Sequence, residues 1–167
     1  RLPTIWKIDP HTQAKHIILK RYLDAWLPIM TRWHGRVLYI DGFAGPGKYQ
    51  GGEEGSPIIA LKSALNHRAE LKAEILFLFV ESDNERYRHL DSMVKEMALP
   101  KNFIAKPIHG RFDETVTELL DYVNEQKSRL APAFAFVDPF GFSHTPFPLI
   151  QRFMTNPRCE VLVTFMY

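Results

Sequence analysis

A glycine cluster preceded by an aspartate is the first part of this sequence whose residue types could do chemistry. Asp41 follows a short apolar run, and three glycines come within the next six positions, Gly42, Gly45 and Gly47. Glycines in this spacing let a backbone approach a ligand closely and adopt conformations that side chains disfavour. The run before them, residues 37–40, is β-branched and aromatic, as is typical of a buried parallel strand. The pattern therefore predicts a cofactor loop at the carboxyl end of a first strand.

Two phosphate-binding motifs share part of this pattern. A nucleotide phosphate loop would use Gly42, Gly47 and Lys48, but it needs Ser or Thr at the next position for magnesium, and a helix directly afterwards. Position 49 is Tyr49, and a polar, glycine-rich stretch follows it. A dinucleotide fingerprint needs its third glycine at position 50, where the chain has Gln50. Both motifs match weakly, so a phosphate ligand is disfavoured.

S-adenosylmethionine is the third candidate ligand, because its loop needs close backbone approach more than a helix terminus aimed at an anion. Its ribose hydroxyls suit a carboxylate at the tip of the second strand, which is Glu81, or Asp83 if that strand ends later. Asp41 is placed to receive the cationic end of the amino acid moiety. Each residue has a simpler interpretation, since Glu81 could cap a helix and Asp41 could form a turn. The predicted cofactor-binding residues in this region are Asp41, Gly42, Phe43, Gly45, Gly47, Glu81 and Asp83.

The elements that position these residues follow from hydrophobic periodicity and from helix caps. Asp9-Pro10 predicts the start of a long amino-terminal helix with two apolar stripes, and therefore burial on more than one side. Ser56-Pro57 predicts a second helix start. Apolar runs predict strands at 75–80, 103–108, 133–137 and 160–166, the third of the five strands lying near an edge because of Pro107. Strands that alternate with helices predict an α/β, Rossmann-like, doubly wound and mainly parallel sheet in one domain.

The loop D-G-F-A-G-P-G is similar to the first motif of class I methyltransferases, and F-A-G-x-G especially resembles the cytosine-5 DNA enzymes. Those enzymes attack with a cysteine in the fourth-strand motif. The corresponding stretch here is Asp138-Pro139-Phe140-Gly141, which contains no cysteine, so their mechanism is not available. The class I resemblance implies the methyltransferase-type strand order β3-β2-β1-β4-β5, with an added amino-terminal helix.

Five stretches spread over nearly the whole chain resemble the three-Cys-motif partner family, TcmP. They are W-K-I-D-P-H-T-Q-A-K-H, D-G-F-A-G-P-G-K-Y, E-E-G-S-P-I-I-A-L, F-V-E-S-D-N-E-R-Y and F-V-D-P-F-G-F. The resemblance implies a bacterial, methyltransferase-like protein of poorly defined activity. It also implies a partner protein with a three-cysteine motif, similar to radical-SAM or iron–sulfur proteins. It implies no proven catalytic residues.

The fourth-strand motif Asp138-Pro139-Phe140 resembles the [DNS]-P-P-[YFW] signature of amino methyltransferases. In that signature a polar side chain and a carbonyl accept hydrogen bonds from an exocyclic amine, and the aromatic ring stacks on the base. The second proline is absent here, and Phe140 falls one position early. The competing interpretation is a strand-end turn with its aromatic rings in the core. The predicted catalytic residues are Asp138, Pro139 and Phe140, acting on an amine, with a nucleic acid base as a candidate acceptor.

Two further segments are placed to touch a cofactor. His11, Thr12 and Lys15 share one face at the start of the first helix, which can fold over the glycine loop. Phe112 and Asp113 follow the third strand, where an adenine ring would lie in this fold. Asp113 either accepts a hydrogen bond from the adenine amine or caps the helix that it begins.

Composition bounds the remaining possibilities. The chain has 167 residues, is 46% hydrophobic and 24% charged, and has one cysteine, as expected for a single globular domain over residues 1–167 without disulfides or a cysteine-based zinc site. No histidine or acidic spacing predicts a metal. The start at Arg1 and the end at Tyr167 predict a piece of a longer protein, truncated at its carboxyl end. No apolar run is long enough for a membrane span, so a cytoplasmic location is expected. The excess of Lys and Arg in residues 1–40 predicts either contact with a phosphate backbone or a solvated helix face.

Overall fold

A computed structural model describes residues 3–139 and 145–165 of the chain. Helices and strands alternate strictly along these residues. The helices are α1 (Pro10–Trp33), α2 (Ser56–Leu65), α3 (Asn84–Glu96), α4 (Phe112–Glu125) and α5 (Phe147–Met154). The strands are β1 (Arg36–Asp41), β2 (Glu74–Glu81), β3 (Phe103–His109), β4 (Ala133–Val137) and β5 (Cys159–Val163). None of these helices has the length and apolar character that a membrane crossing requires.

The strands form a sheet of five parallel strands in the order β3-β2-β1-β4-β5. This confirms the predicted Rossmann-like fold, its strand order and the added amino-terminal helix. The chain leaves β1 toward β2 on one side and later returns to β4 on the other side. The sheet therefore has a switch point between β1 and β4, and the crevice above their carboxyl ends is where open α/β sheets bind ligands. Pro107 lies in the edge strand β3, as predicted.

Two hydrophobic clusters cover the two faces of the sheet. One cluster joins α1, α2 and α3 to large aromatic side chains of the inner strands, including Tyr39, Phe77, Phe79, Phe134 and Phe136. The other joins α4 and α5 to the opposite face through residues such as Ile40, Phe112 and Phe153. Strands with both faces covered explain the continuous apolar runs seen in the sequence. This rigid platform holds the strand tips in fixed positions.

The helix caps agree with the sequence at α1 and differ from it at α2 and α4. Asp9 caps α1 by accepting from Thr12 N at 2.8 Å, and Asp83 caps α3. The cap of α2 is Gly55, one residue before the predicted Ser56, whose side chain is buried at the first helical position. The cap of α4 is Arg111, so the predicted capping role of Asp113 is wrong. Its carboxylate binds the Arg111 guanidinium instead, with Oδ2 accepting from Nη2 at 2.6 Å.

The first helix is buried on one side only, which corrects the prediction of burial on more than one side. The stripe of Leu19, Leu23 and Trp26 packs in the core. In the other predicted stripe, Ile18 is 56% and Ile29 57% exposed, although Tyr22 of that stripe stacks on Phe134 with ring centroids 4.6 Å apart. The sheet lies under one face of this helix, and the described part of the chain supplies no second layer to cover the other.

Candidate functional site

Three acidic side chains lie at the carboxyl ends of neighbouring strands. Asp41 is the last residue of β1, Glu81 is the last residue of β2, and Asp138 directly follows β4. Asp41 is 0% and Glu81 is 5% exposed. The sheet register aligns these strand tips at the switch point. The structure therefore brings together three residues that are up to 97 positions apart in the sequence.

The glycine loop between β1 and α2 is tied to the sheet by its backbone. Gly42 N donates to Phe136 O, and Ala44 N donates to Val80 O, both at 2.9 Å. Gly45 and Gly47 have φ angles of +70° and +84°, a region that side chains rarely adopt. A Cβ added to Gly45 would meet no atom within 4 Å, so open space lies over the backbone at this position. The predicted role of the loop, to allow close approach, fits this geometry.

A short hairpin separates the loop from the next helix. Lys48 pairs with Glu54 in an isolated antiparallel bridge, and Gly55 N donates to Gly47 O at 2.7 Å. Helix α2 begins only at Ser56. The positive end of its dipole is therefore not presented by the glycine turn itself, as it is in a phosphate loop.

Glu81 holds the glycine loop in place. Its Oε2 accepts a hydrogen bond from Gly45 N, and its Oε1 accepts one from Asp83 N, both at 2.8 Å. Glu81 is therefore a strand-tip residue and not a helix cap. The capping role belongs to Asp83, which accepts from Glu85 N and Arg86 N. Asp83 is the predicted ribose ligand only if β2 extends beyond Glu81. Because β2 ends at Glu81, the prediction for Glu81 applies.

Asp41 is a carboxyl group in an unfavourable environment for negative charge. Complete burial raises its pKa to about 7, and the carboxylates of Asp138 and Glu81 add to this rise. Hydrogen bonding from Ser56 and from the backbone of Phe43 opposes it. Its Oδ2 has no hydrogen-bond partner among the described residues. A cationic ligand group would relieve this arrangement, because it would favour the ionised form of Asp41.

The raised pKa of Asp41 predicts a pH-dependent stability. Between about pH 4 and pH 7 the folded protein keeps a proton that the unfolded chain has released, since the ordinary pKa is 3.8 and the folded value is about 7. The free energy of unfolding should therefore fall as pH rises through this window, by about 1 kcal/mol per pH unit from this group. We expect Asp41→Asn to remove that slope in urea unfolding followed from pH 4.5 to 7.5. Equal slopes in the two proteins would show that Asp41 ionises normally.

Asp138 is engaged by two side chains. Lys15 Nζ lies 2.8 Å from its Oδ1, and the Thr164 hydroxyl binds the same oxygen. Both members of the ion pair are largely buried, at 15% and 20% side-chain exposure. Pro139 lines the adjacent cleft, whereas Phe140, the third predicted catalytic residue, lies outside the described residues.

The amino-terminal segment supplies one wall of this cleft. Thr12 and Lys15 line it, but the exposed His11 does not. His16 lines it instead, and burial lowers its pKa, which favours the neutral imidazole. Sequence reasoning missed His16, although its spacing of three and seven from Leu19 and Leu23 places it on the buried stripe of α1.

Two aromatic residues that the sequence did not predict as site residues complete the cleft. Trp6 and Tyr49 both line it and meet edge to face, with ring centroids 5.6 Å apart. Trp6 O also accepts from Gln50 N, and the Arg86 guanidinium lies 4.7 Å from the Trp6 ring centroid. Burial and three nearby carboxylates raise the pKa of Tyr49. The cleft has a volume of about 100 Å³.

A second, smaller cavity of about 50 Å³ lies beyond Phe43, between the tips of β2 and β3. Its lining includes Glu81, Arg86, Arg111 and Phe112. The rings of Phe43 and Phe112 are 5.9 Å apart. Phe43 borders both cavities, so its side chain separates the Glu81 side of the site from the Asp138 side. Asp113 is held by Arg111 and is not part of this lining.

The described residues contain no group of three or more His, Cys, Asp or Glu side chains that could hold a metal ion. The site is built from carboxylates, backbone amides, aromatic rings and the cationic side chains of Lys15, Arg86 and Arg111. The carboxylates and rings recognise hydroxyls, cations and planar rings.

Comparison with known proteins gives a weak likeness to a solved structure and no match of the other kinds. No protein-family model and no curated protein match the chain, so the resemblance to the TcmP family stays a prediction. Among solved structures, the chain is similar to Trm1 from Pyrococcus horikoshii in complex with S-adenosyl-L-methionine, with 13% identity and a TM-score of 0.46. The match covers 85% of this chain and 34% of that one, so the chain spans about a third of the length of that protein.

Proposed function

We propose that this chain is the core of an S-adenosylmethionine-dependent methyltransferase that acts on an amine, with an exocyclic amine of a nucleic acid base as the acceptor class. The carrying observation is the buried carboxylate pair at the strand tips, Asp41 and Glu81, beside an open glycine loop. The cavities are lined by the acids Asp9, Glu81 and Asp138 and by the cations Lys15, Arg86 and Arg111, and Asp41 is buried beside them. The two strand-tip carboxylates suit a cofactor that carries a sulfonium and an ammonium group, and they disfavour a phosphate placed next to them.

The residues present fit this cofactor at several points. Oδ2 of Asp41, which has no hydrogen-bond partner among the described residues, would receive the ammonium group once the loop that buries it moves, and the space over Gly45 would admit the ligand against the backbone. Each oxygen of Glu81 accepts one backbone hydrogen bond and keeps a lone pair for a ribose hydroxyl. Phe43 and Phe112 would enclose the adenine ring on the side of β3.

The two cavities must join before a ligand of this size can bind. Their volumes of about 50 Å³ and 100 Å³ are well below the roughly 300 Å³ of a typical small-molecule pocket. Phe43 is the side chain that borders both. Binding therefore requires Phe43 to rotate out of the space between Glu81 and the cleft.

S-adenosylmethionine supplies an electrophilic methyl group, so the protein has mainly to position an acceptor nitrogen in line with it. Asp138 is the group proposed to accept a hydrogen bond from the amine and to direct its lone pair. Lys15 and Thr164 hold the Asp138 carboxylate in one orientation, and its second oxygen, which binds none of the described side chains, is proposed to face the acceptor. The neutral form of His16 avoids adding a further cation to Lys15 in the cleft that would hold the sulfonium.

Calorimetric titration of the full-length protein tests the cofactor assignment. We expect S-adenosylmethionine and S-adenosylhomocysteine to bind, and ATP and NAD⁺ not to bind, because the carboxylates repel phosphates. Labelled cofactor incubated with DNA, RNA and protein should then give methyl incorporation that Asp138→Asn lowers by about 100-fold or more. Glu118→Gln, which changes an exposed acid on α4 outside both cavities, is the matched control. Tighter binding of ATP than of either methionine cofactor would refute the assignment.

A second candidate function is a cofactor-binding subunit without turnover, working with a three-cysteine-motif protein. The observation that favours it is the engagement of Asp138 by Lys15 and Thr164, which leaves the proposed acceptor group partly satisfied. This candidate predicts cofactor binding with no methyl incorporation, and Lys15→Ala would not restore transfer. It also predicts that the chain co-purifies with the three-cysteine-motif protein when both are expressed together.

A further inference from the structure

A long groove runs between α1 and the neighbouring helix α2, outside the candidate site. It consists of two adjoining cavities of about 490 Å³ and 580 Å³, which share His67 in their lining. Its wall on α1 extends from Lys20 to Trp33, about 20 Å at the rise of an α-helix. Its opposite wall is formed by α2 and by residues 66–72. We call this feature the α1–α2 groove.

The charges in the α1–α2 groove leave a cationic excess. Two of its lysines are neutralised, since Lys20 pairs with Asp24 and Lys62 pairs with Glu54. Three more cationic side chains line it, Arg32, Arg68 and Lys72, and within residues 3–139 and 145–165 none of them forms an ion pair. The remaining acid in the lining is Glu70. The groove is therefore suited to an anionic occupant.

An exposed aromatic ring stands at one end of the α1–α2 groove. Trp33 is 73% exposed, and the Arg32 guanidinium lies 5.4 Å from its ring centroid. Exposure of the Trp33 indole ring to water is energetically unfavourable, and in this position the ring adds little to the packing of the core. A flat ring next to cations is the combination on which nucleic acid bases stack while their phosphates are neutralised.

The end of the α1–α2 groove that is lined by Lys20 and Glu54 leads toward the candidate site. Glu54 contacts Lys62 in the groove and pairs with Lys48 across the hairpin. The same hairpin carries Tyr49, which lines the cleft beside Asp138. A chain lying in the groove is thus directed past the hairpin to the place where methyl transfer is proposed.

We propose that the α1–α2 groove binds single-stranded nucleic acid and guides it to the cleft. A single strand is favoured over a duplex because the exposed ring of Trp33 can stack on the face of an unpaired base, and base faces inside a duplex are already stacked on one another. Nucleic acid is favoured over an acidic peptide because an exposed ring accompanies the cations. The binding itself stands on the groove alone, and only the naming of the strand as methyl acceptor rests on the proposed function.

Fluorescence anisotropy with labelled oligonucleotides of about 12 nucleotides tests this proposal. We expect single-stranded RNA or DNA of mixed sequence to bind, with an affinity that falls as salt rises. The double variant Arg68→Ala/Lys72→Ala should weaken binding at least tenfold and reduce the salt slope by about two. Trp33→Ala should weaken binding roughly tenfold, with a smaller loss in Trp33→Phe, and should leave the salt slope unchanged.

The matched control is Arg88→Ala/Arg129→Ala, which removes the same charge from exposed positions outside the groove lining. Equal losses in the control and in the groove variant would overturn the proposal, because binding would then follow net charge alone. So would absence of oligonucleotide binding at low salt, equal affinity for duplex, or equal affinity for polyglutamate. Titration with S-adenosylhomocysteine is run in parallel, so that failure of the groove and failure of the cofactor site are separately visible.

Discussion

Replacing Glu81 by alanine is expected to lower the affinity for S-adenosylhomocysteine by at least about 100-fold and to destabilise the protein. The carboxylate receives Gly45 N and Asp83 N at 2.8 Å while only 5% exposed. Each such hydrogen bond to a charged group contributes about 1.5–3 kcal/mol, so the loss of both should cost roughly 3 kcal/mol or more. Part of this cost is offset, because the charge of Glu81 also opposes ionisation of the buried Asp41.

Glu81→Gln separates the two effects. Its amide oxygen can accept one of the two backbone hydrogen bonds but not both, so we expect an intermediate loss of stability in urea unfolding. Ribose recognition should suffer as strongly as in Glu81→Ala, because the amide nitrogen competes as a donor. If calorimetry gave unchanged S-adenosylhomocysteine affinity in both variants, the strand-tip site would not be the cofactor site.

Gly47→Val should destabilise the fold by about 3 kcal/mol, a drop of about 6–12 °C in the melting temperature for a chain of this size. Two independent causes lower the free energy of unfolding, and their effects add. The φ angle of +84° strains any β-branched side chain by about 1–2 kcal/mol. A Cβ would also stand 3.0 Å from Leu90 Cδ1 and 3.2 Å from Met93 Sδ. Leu90 is fully buried and has no space to retreat, so overpacking adds about 1–3 kcal/mol.

The matched control for this change is Gly35→Val. A Cβ at Gly35 meets no atom within 4 Å, and its φ angle lies outside the left-handed region. We expect its melting temperature in differential scanning calorimetry to stay within about 3 °C of the unsubstituted protein. Similar shifts of the melting temperature in both variants would contradict the backbone strain and overpacking expected at Gly47.

The site residues that the sequence located share one property, which is position along the chain relative to a strand. Asp41, Glu81 and Asp138 each follow an apolar run, and parallel strands place their carboxyl ends at one edge of the sheet. That topology rule is enough to predict that three distant residues meet. The same reasoning does not say what each side chain binds, because that depends on atoms contributed by other segments.

The residues that the sequence missed, among them Trp6, His16 and Tyr49, join the site through the path of the amino-terminal segment. Gln50 N donates to Trp6 O, and this long-range contact has no local signature. His16 is similar, since an imidazole on an apolar stripe is ordinarily a core residue. His11 fails as a cleft residue because a helix rotates by about 100° per residue, and the buried face passes through His16.

The resemblance to class I methyltransferases implied the strand order, whereas the sequence by itself determined the alternation of helices and strands and the glycine loop with its acidic strand tips. These depend on short-range periodicity, on caps and on topology rules, which local residue types encode. Only the tertiary structure decided that Glu81 ties down the glycine loop, that burial raises the pKa of Asp41, and that Lys15 engages Asp138. It also decided that one stripe of α1 stays exposed beside a cationic groove. Burial, pairing and exposure are properties of how distant segments pack, so no local pattern contains them.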